Sequence, residues 1–151
     1  MILDSMYFEN ENIVITDPCY VVANREDWKK CTDAYSNDGK HDITDGLKKL
    51  GFTKVISNDT VIGDWCCEVF KIDGEKIKLG DFGADSGLVA VFSLDEILKY
   101  DPDYDYKEDE DIGCAVIIRN FTGRVSIEQV DDRTISVVGQ GSIDFYSEIM
   151  E

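Results

Sequence analysis

Beyond residue 114 the chain alternates. Val125 and Ile127 interleave with Arg124, Ser126 and Glu128, and Ile135 and Val137 interleave with Thr134 and Ser136. A period of two gives a strand one core face and one wet face. Three β-rich runs, 114–121, 124–130 and 133–138, are separated by Thr122-Gly123 and Asp131-Asp132 and predict an antiparallel meander in the C-terminal third. A last strand, 142–149, is expected after Gly139-Gln140-Gly141. Upstream, Ile13-Val14-Ile15-Thr16 is a short β-branched run that stops at Asp17-Pro18. Residues 65–72 and 76–79 pair as a hairpin across Asp73-Gly74, a dipeptide suited to the positive backbone angles of tight turns. The run 87–92 is continuously apolar, as expected of a strand buried on both faces.

A helical period replaces this pattern in three places. Asn24 caps a helix over 25–34, with Glu26 and Asp27 in its positive first turn and Trp28, Cys31 and Tyr35 on one face. Asp42 caps a second, in which Ile43, Leu47 and Leu50 form a stripe and Gly51 is the stop. Ser93 and Glu96 have the spacing of a capping box for a third, ended by Asp101-Pro102. The expectation is an α+β fold: a mainly antiparallel sheet with two or three short helices packed to one side, in a single domain over 1–151.

Charge changes this picture most. Thirty-two Asp and Glu face fifteen Lys and Arg, a net charge of −17. Such a field repels nucleic-acid phosphates and anionic membrane surfaces and favours a basic protein partner. The N-terminus shows neither a basic region nor a long apolar stretch, and the five cysteines have no regular spacing, so a cytoplasmic protein with reduced thiols is expected. Seven of the acids crowd into 101–111, which predicts an exposed, extended loop at about 101–112.

Candidate chemistry is sparse. Asp101, Asp103 and Asp105 have the one-three-five spacing of a calcium loop, but Tyr106 and Ile112 stand where that loop needs glycine and glutamate. They retain only a weak claim on a divalent cation such as calcium or magnesium, and no other cofactor is expected. His41 and Ser86 follow the order of a serine protease triad, and Cys19 with His41 would make a thiol pair, yet either would need geometry that order alone does not supply. Asp17, Asp64, Asp81 and Asp85 all lie at predicted strand ends, where sites are commonly built. Converging, they would hold a metal or a cationic ligand; separately, each is an aspartate bonding its own turn.

Asp17-Pro18-Cys19-Tyr20-Val21, then Gly63-Asp64, then Ala84-Asp85-Ser86-Gly87-Leu88 before an apolar strand resemble a group of small uncharacterised bacterial and phage-borne proteins. Asp27-Trp28 agrees with the tryptophan-bearing helix that follows the opening in that group. The resemblance spans about 12–145 and implies a compact β-rich domain of bacterial or phage source, with no activity to carry over. Two functions follow from these residues. The first is a non-enzymatic binding or regulatory module with an acidic surface. The other is a small metal- or carboxylate-dependent hydrolase using the strand-end aspartates.

Overall fold

The computed structural model describes residues 1–38, 42–60, 65–131 and 134–143. Seven strands among them form one mixed sheet: β1 (Ile2–Thr16), β2 (Val55–Asp59), β3 (Trp65–Asp73), β4 (Glu75–Ala84), β5 (Leu88–Ser93), β6 (Ala115–Asp131) and β7 (Thr134–Ile143). The order is β2-β5-β1-β6-β7-β3-β4, and every pairing is antiparallel except that of β3 with β7. Four helices accompany it among the described residues: α1 (Arg25–Asp38), α2 (Thr44–Lys49), α3 (Leu94–Tyr100) and α4 (Tyr106–Asp111).

Alternation along the strands divides the interior in two. Ile13, Ile15, Ile56, Val89, Val91, Val116 and Ile118 face Cys67, Val69, Phe82, Val125, Ile127 and Val137, so the two halves of the sheet fold over one another. The intervening residues Val14, Val55, Ala90, Phe92 and Ile117 point the other way and pack with Cys31, Leu47, Phe52, Leu94 and Ile97 beneath the helices. β5 therefore contributes to both interiors, and all six of its residues are buried. α1 and α2 meet backbone to backbone: a Cβ on Gly46 would lie 2.5 Å from the Cys31 Cα.

The fold-over depends on where β1 and β6 bend. Asn10 and Asn120 both adopt positive φ, and the ladder slips its register beside them. The Asn10 amide donates to Thr122 Oγ1 and the Asn120 amide to Asn12 Oδ1, each at 2.9 Å, so side chains satisfy main-chain groups that the ladder releases. Beyond the bend Gly123 faces Gly141 at positive φ, and a Cβ on either would run into the opposing main chain.

Several expectations are corrected. Thr122-Gly123 is a bend inside β6, so the predicted runs 114–121 and 124–130 are one strand; Gly139 and Gly141 likewise lie within β7. β1 begins at Ile2 instead of Ile13, and β2 had no clear signal. The Asn24 cap is present, its side chain accepting from the Asp27 amide at 3.0 Å. The second helix is capped at Ile43, one residue late, while Asp42 bonds the Thr44 amide. Ser93 makes no side-chain cap bond, and the Glu96 carboxylate, the other half of the expected box, accepts instead from the amides of Thr53 and Lys54. The acidic segment is not extended throughout. Asp105 caps α4 by accepting from the Glu108 amide, Glu108 and Asp109 occupy its positive first turn, and buried Tyr104 anchors the approach. The expected strand 142–149 enters β7 at its start, and residues 144–149 lie outside the described residues.

Candidate functional site

β1 ends at Thr16, and Asp17 turns the chain into a single 3-10 turn at Pro18–Tyr20. Proline suits the first position of such a turn, having no amide to leave unpaired. The Asp17 side chain is fully buried. Its Oδ1 accepts from the Cys19 amide at 2.9 Å and from Ser86 Oγ at 2.6 Å, and its Oδ2 accepts from the Ser86 amide at 2.5 Å. One carboxylate thus ties the end of β1 to the turn between β4 and β5. Alongside it the Tyr20 hydroxyl donates to Asp85 Oδ2, and Thr16 Oγ1 donates to the Cys114 carbonyl at 2.7 Å.

Electrostatics follow from this packing. Burial first, and then the Asp17 charge, push the Cys19 thiol up to about 12. The hydrogen bond to Asp85, with burial behind it, raises the Tyr20 phenol well above its ordinary value. Neither group is poised as a nucleophile near neutral pH. The Ser86 hydroxyl donates a hydrogen bond to Asp17, and His41, which the serine and thiol expectations both need, lies outside the described residues.

Of the four strand-end aspartates the structure brings Asp17 and Asp85 to one corner, linked through Ser86 and the Pro18–Tyr20 turn. Asp81 belongs elsewhere. It lies opposite Glu68 in the β3–β4 ladder, exposed, with Lys78 Nζ at 3.1 Å from Asp81 and 3.3 Å from Glu68. Asp64 lies outside the described residues. In the acidic segment Asp101 accepts from the Asp103 amide and Asp105 from the Glu108 amide, so two of those three carboxylates brace their own turns. Among the described residues no three His, Cys, Asp or Glu side chains are grouped to hold a metal ion.

Of the expected site residues only Asp81 lines a cleft among those described. A cleft of about 460 Å³ lies between Leu79–Asp81 of β4 and the first half of β6, with Glu110 and Gly113 at its end. Arg119 at its rim donates to both Glu110 carboxylate oxygens at 3.0 Å. Two parallel bonds of this kind fix a guanidinium geometrically. The run Ala115-Val116-Ile117-Ile118 signals a strand covered on both faces, but which of its edges is covered depends on topology, and local pattern carries no topology.

No family model matches the chain, and neither a curated protein nor a solved structure does. No helix among the described residues is long and apolar enough to cross a membrane.

Proposed function

We propose that this chain is a non-enzymatic binding or regulatory module that engages a basic protein partner through its acidic surface, in the cytoplasm of a bacterium or a phage-infected cell. The observation that supports it most is the exposed acidic ridge. Asp103, Asp105, Glu108 and Asp111 are all exposed on and before α4, in a chain where acids outnumber bases by thirty-two to fifteen. A ridge of one sign speeds encounter with an oppositely charged partner and disfavours like-charged ones. Three of the four carboxylates that a hydrolase would draw on are engaged within the fold, Asp17 with three donors, Asp85 with Tyr20 and Asp81 with Lys78, and Asp64 lies outside the described residues. No specific observation favours the hydrolase.

The test is capture from bacterial lysate by the immobilised full chain at roughly physiological ionic strength, about 0.15 M. The expected result is recovery of basic proteins that are released when Asp103, Asp105, Glu108 and Asp111 are changed to their amides. Recovery of nothing basic would overturn the proposal.

A further inference from the structure

Two cysteines meet at the Asp17 corner. Among the described thiols Cys31 and Cys67 are buried, whereas Cys19 and Cys114 are half-buried, so the two at the corner are the two that a reagent reaches. They arrive on separate elements. Thr16, the last residue of β1, pairs with Ala115 at the start of β6, and its Oγ1 holds the Cys114 carbonyl at 2.7 Å. Cys114 therefore stands beside Asp17, one step past the end of the ladder. The Tyr20 amide donates to the Asp17 carbonyl at 3.1 Å and the Cys19 amide to Asp17 Oδ1 at 2.9 Å, which folds the 3-10 turn back over the same position. The Cys114 thiol lies against the Tyr20 hydroxyl and within electrostatic reach of the Cys19 sulfur.

We propose that this corner is a thiol-oxidation site, at which a low-molecular-weight disulfide converts Cys19 and Cys114 into an internal disulfide. Cys114, having lost its proton, attacks one sulfur of the small disulfide and expels the first small thiolate. Cys19 then gives up its proton, attacks the Cys114 sulfur and expels the second. Two protein thiols and one small disulfide become one protein disulfide and two small thiols. Two electrons pass to the small sulfurs, and both protons end on them.

The main chain is already pinned on either side of the bond to be made. Besides the Thr16 contact, the Cys114 amide donates to the Asp109 carbonyl at 2.8 Å, and the Cys19 amide is held by Asp17. A disulfide needs α-carbons within about 7 Å, and two pinned turns that share Asp17 meet that need with little rearrangement. Electrostatics favour the product. Burial and the Asp17 charge disfavour a thiolate on Cys19, whereas a disulfide carries no charge for Asp17 or Asp85 to oppose. A thiol that ionises with difficulty is also a slow leaving group, so the closed bond resists reopening at that sulfur. Cys19 is a poor target for reagents in solution for the same reason; proximity to Cys114 is what makes it the second thiol. Since Cys114 follows α4 and bonds its Asp109 carbonyl, closure also ties the end of the acidic ridge to β1.

The experiment incubates the reduced full chain with oxidised glutathione and maps linked peptides by mass spectrometry after digestion without reductant. The expected product joins the Cys19 peptide to the Cys114 peptide. Its melting temperature should exceed that of the reduced chain by roughly 5 °C or more, because closing so long a loop constrains the unfolded chain, and dithiothreitol should reverse the shift. Cys19→Ser should retain glutathione on Cys114, and Cys114→Ser should leave Cys19 unmodified under the same exposure. Melting curves in reductant show whether each variant folds; if one does not, the linkage map of the parent decides alone.

A parent chain that keeps glutathione on Cys114 without joining it to Cys19 puts the two sulfurs out of reach of each other and overturns the site. Linkage of Cys114 to Cys31, Cys66 or Cys67 overturns it as well, as does linkage to Cys19 that forms only in urea. So does a chain on which neither Cys19 nor Cys114 reacts. None of these outcomes bears on the acidic ridge, which capture from lysate tests separately.

Discussion

The corner at Asp17 and the flank at Asp81 present the same side chain and use it in opposite ways. Only Asp17 follows the end of a strand, since Asp81 was expected at one and lies inside β4. At the corner the carboxylate is fully buried and saturated by three donors from two segments, so it closes the structure. At the flank it is exposed, shares one lysine with Glu68 and lines the cleft between β4 and β6. Hydrogen bonds to a buried charge are worth about 1.5–3 kcal/mol each. An exposed ion pair contributes about 0–1 kcal/mol. The contrast shows that residue type alone does not separate a buried brace from an exposed carboxylate; the number of donors converging on it does.

Four measurements would break or sharpen this contrast. The largest expected effect is chemical: with its thiol pushed up by burial and the Asp17 charge, Cys19 of the folded protein should alkylate at least tenfold more slowly near pH 8 than an unperturbed cysteine, roughly what the lost thiolate leaves after the gain in nucleophilicity. Peptide mapping by mass spectrometry reads this directly, and a Cys19 that labels as fast as a free thiol would mean the corner is open. The sign for stability follows. A raised folded value stabilises fully below the unfolded value near 9, and that contribution is lost as pH climbs from 9 to about 12.

Next, Asp17→Ala leaves the Cys19 and Ser86 amides without their acceptor and should cost about 3 kcal/mol in urea unfolding. A cost below about 1 kcal/mol would make the corner no different from an exposed pair. Tyr20→Phe should cost about 1 kcal/mol. It should also flatten the decline in stability above pH 10, since the raised Tyr20 phenol stabilises below its ordinary value and ceases to do so as pH rises beyond it. Smallest of all, Asp81→Asn should shift stability by less than about 0.5 kcal/mol, and addition of salt should erase even that.

Much of the fold was legible because burial imposes local periods. The all-apolar β5, the Asp73-Gly74 hairpin with Gly74 at positive φ, and the Asn24 cap followed from that logic. Glycine was the main source of error. Thr122-Gly123 and Gly139-Gln140-Gly141 resemble turns, yet Gly123 and Gly141 face each other where two strands bend together, and only the partner strand shows this. The acidic segment misled for a related reason: charge density argues for a solvated chain, while the Asp105 cap and the buried Tyr104 ring are enough to wind α4. At the site, Asp17 was picked out for the right position and its burial was invisible. The cleft is lined by Asp81 but otherwise depends on how β4 lies against β6, which strand order decides and local pattern does not carry.

That strand order also governs how the chain must come together in time. β1 is made first, yet its partners β5 and β6 begin at Leu88 and Ala115, and β3 must wait for β7 to complete its parallel pairing. Loop closure over such separations must precede any reward from pairing, which makes folding slow in folds of this kind. The apolar residues of β1 can collapse early onto Cys31, Leu47 and Ile56, but its ladder with β6 waits for residues about a hundred positions on. A strand edge that must wait for so distant a partner is the kind of surface that shielding helpers cover while folding is incomplete.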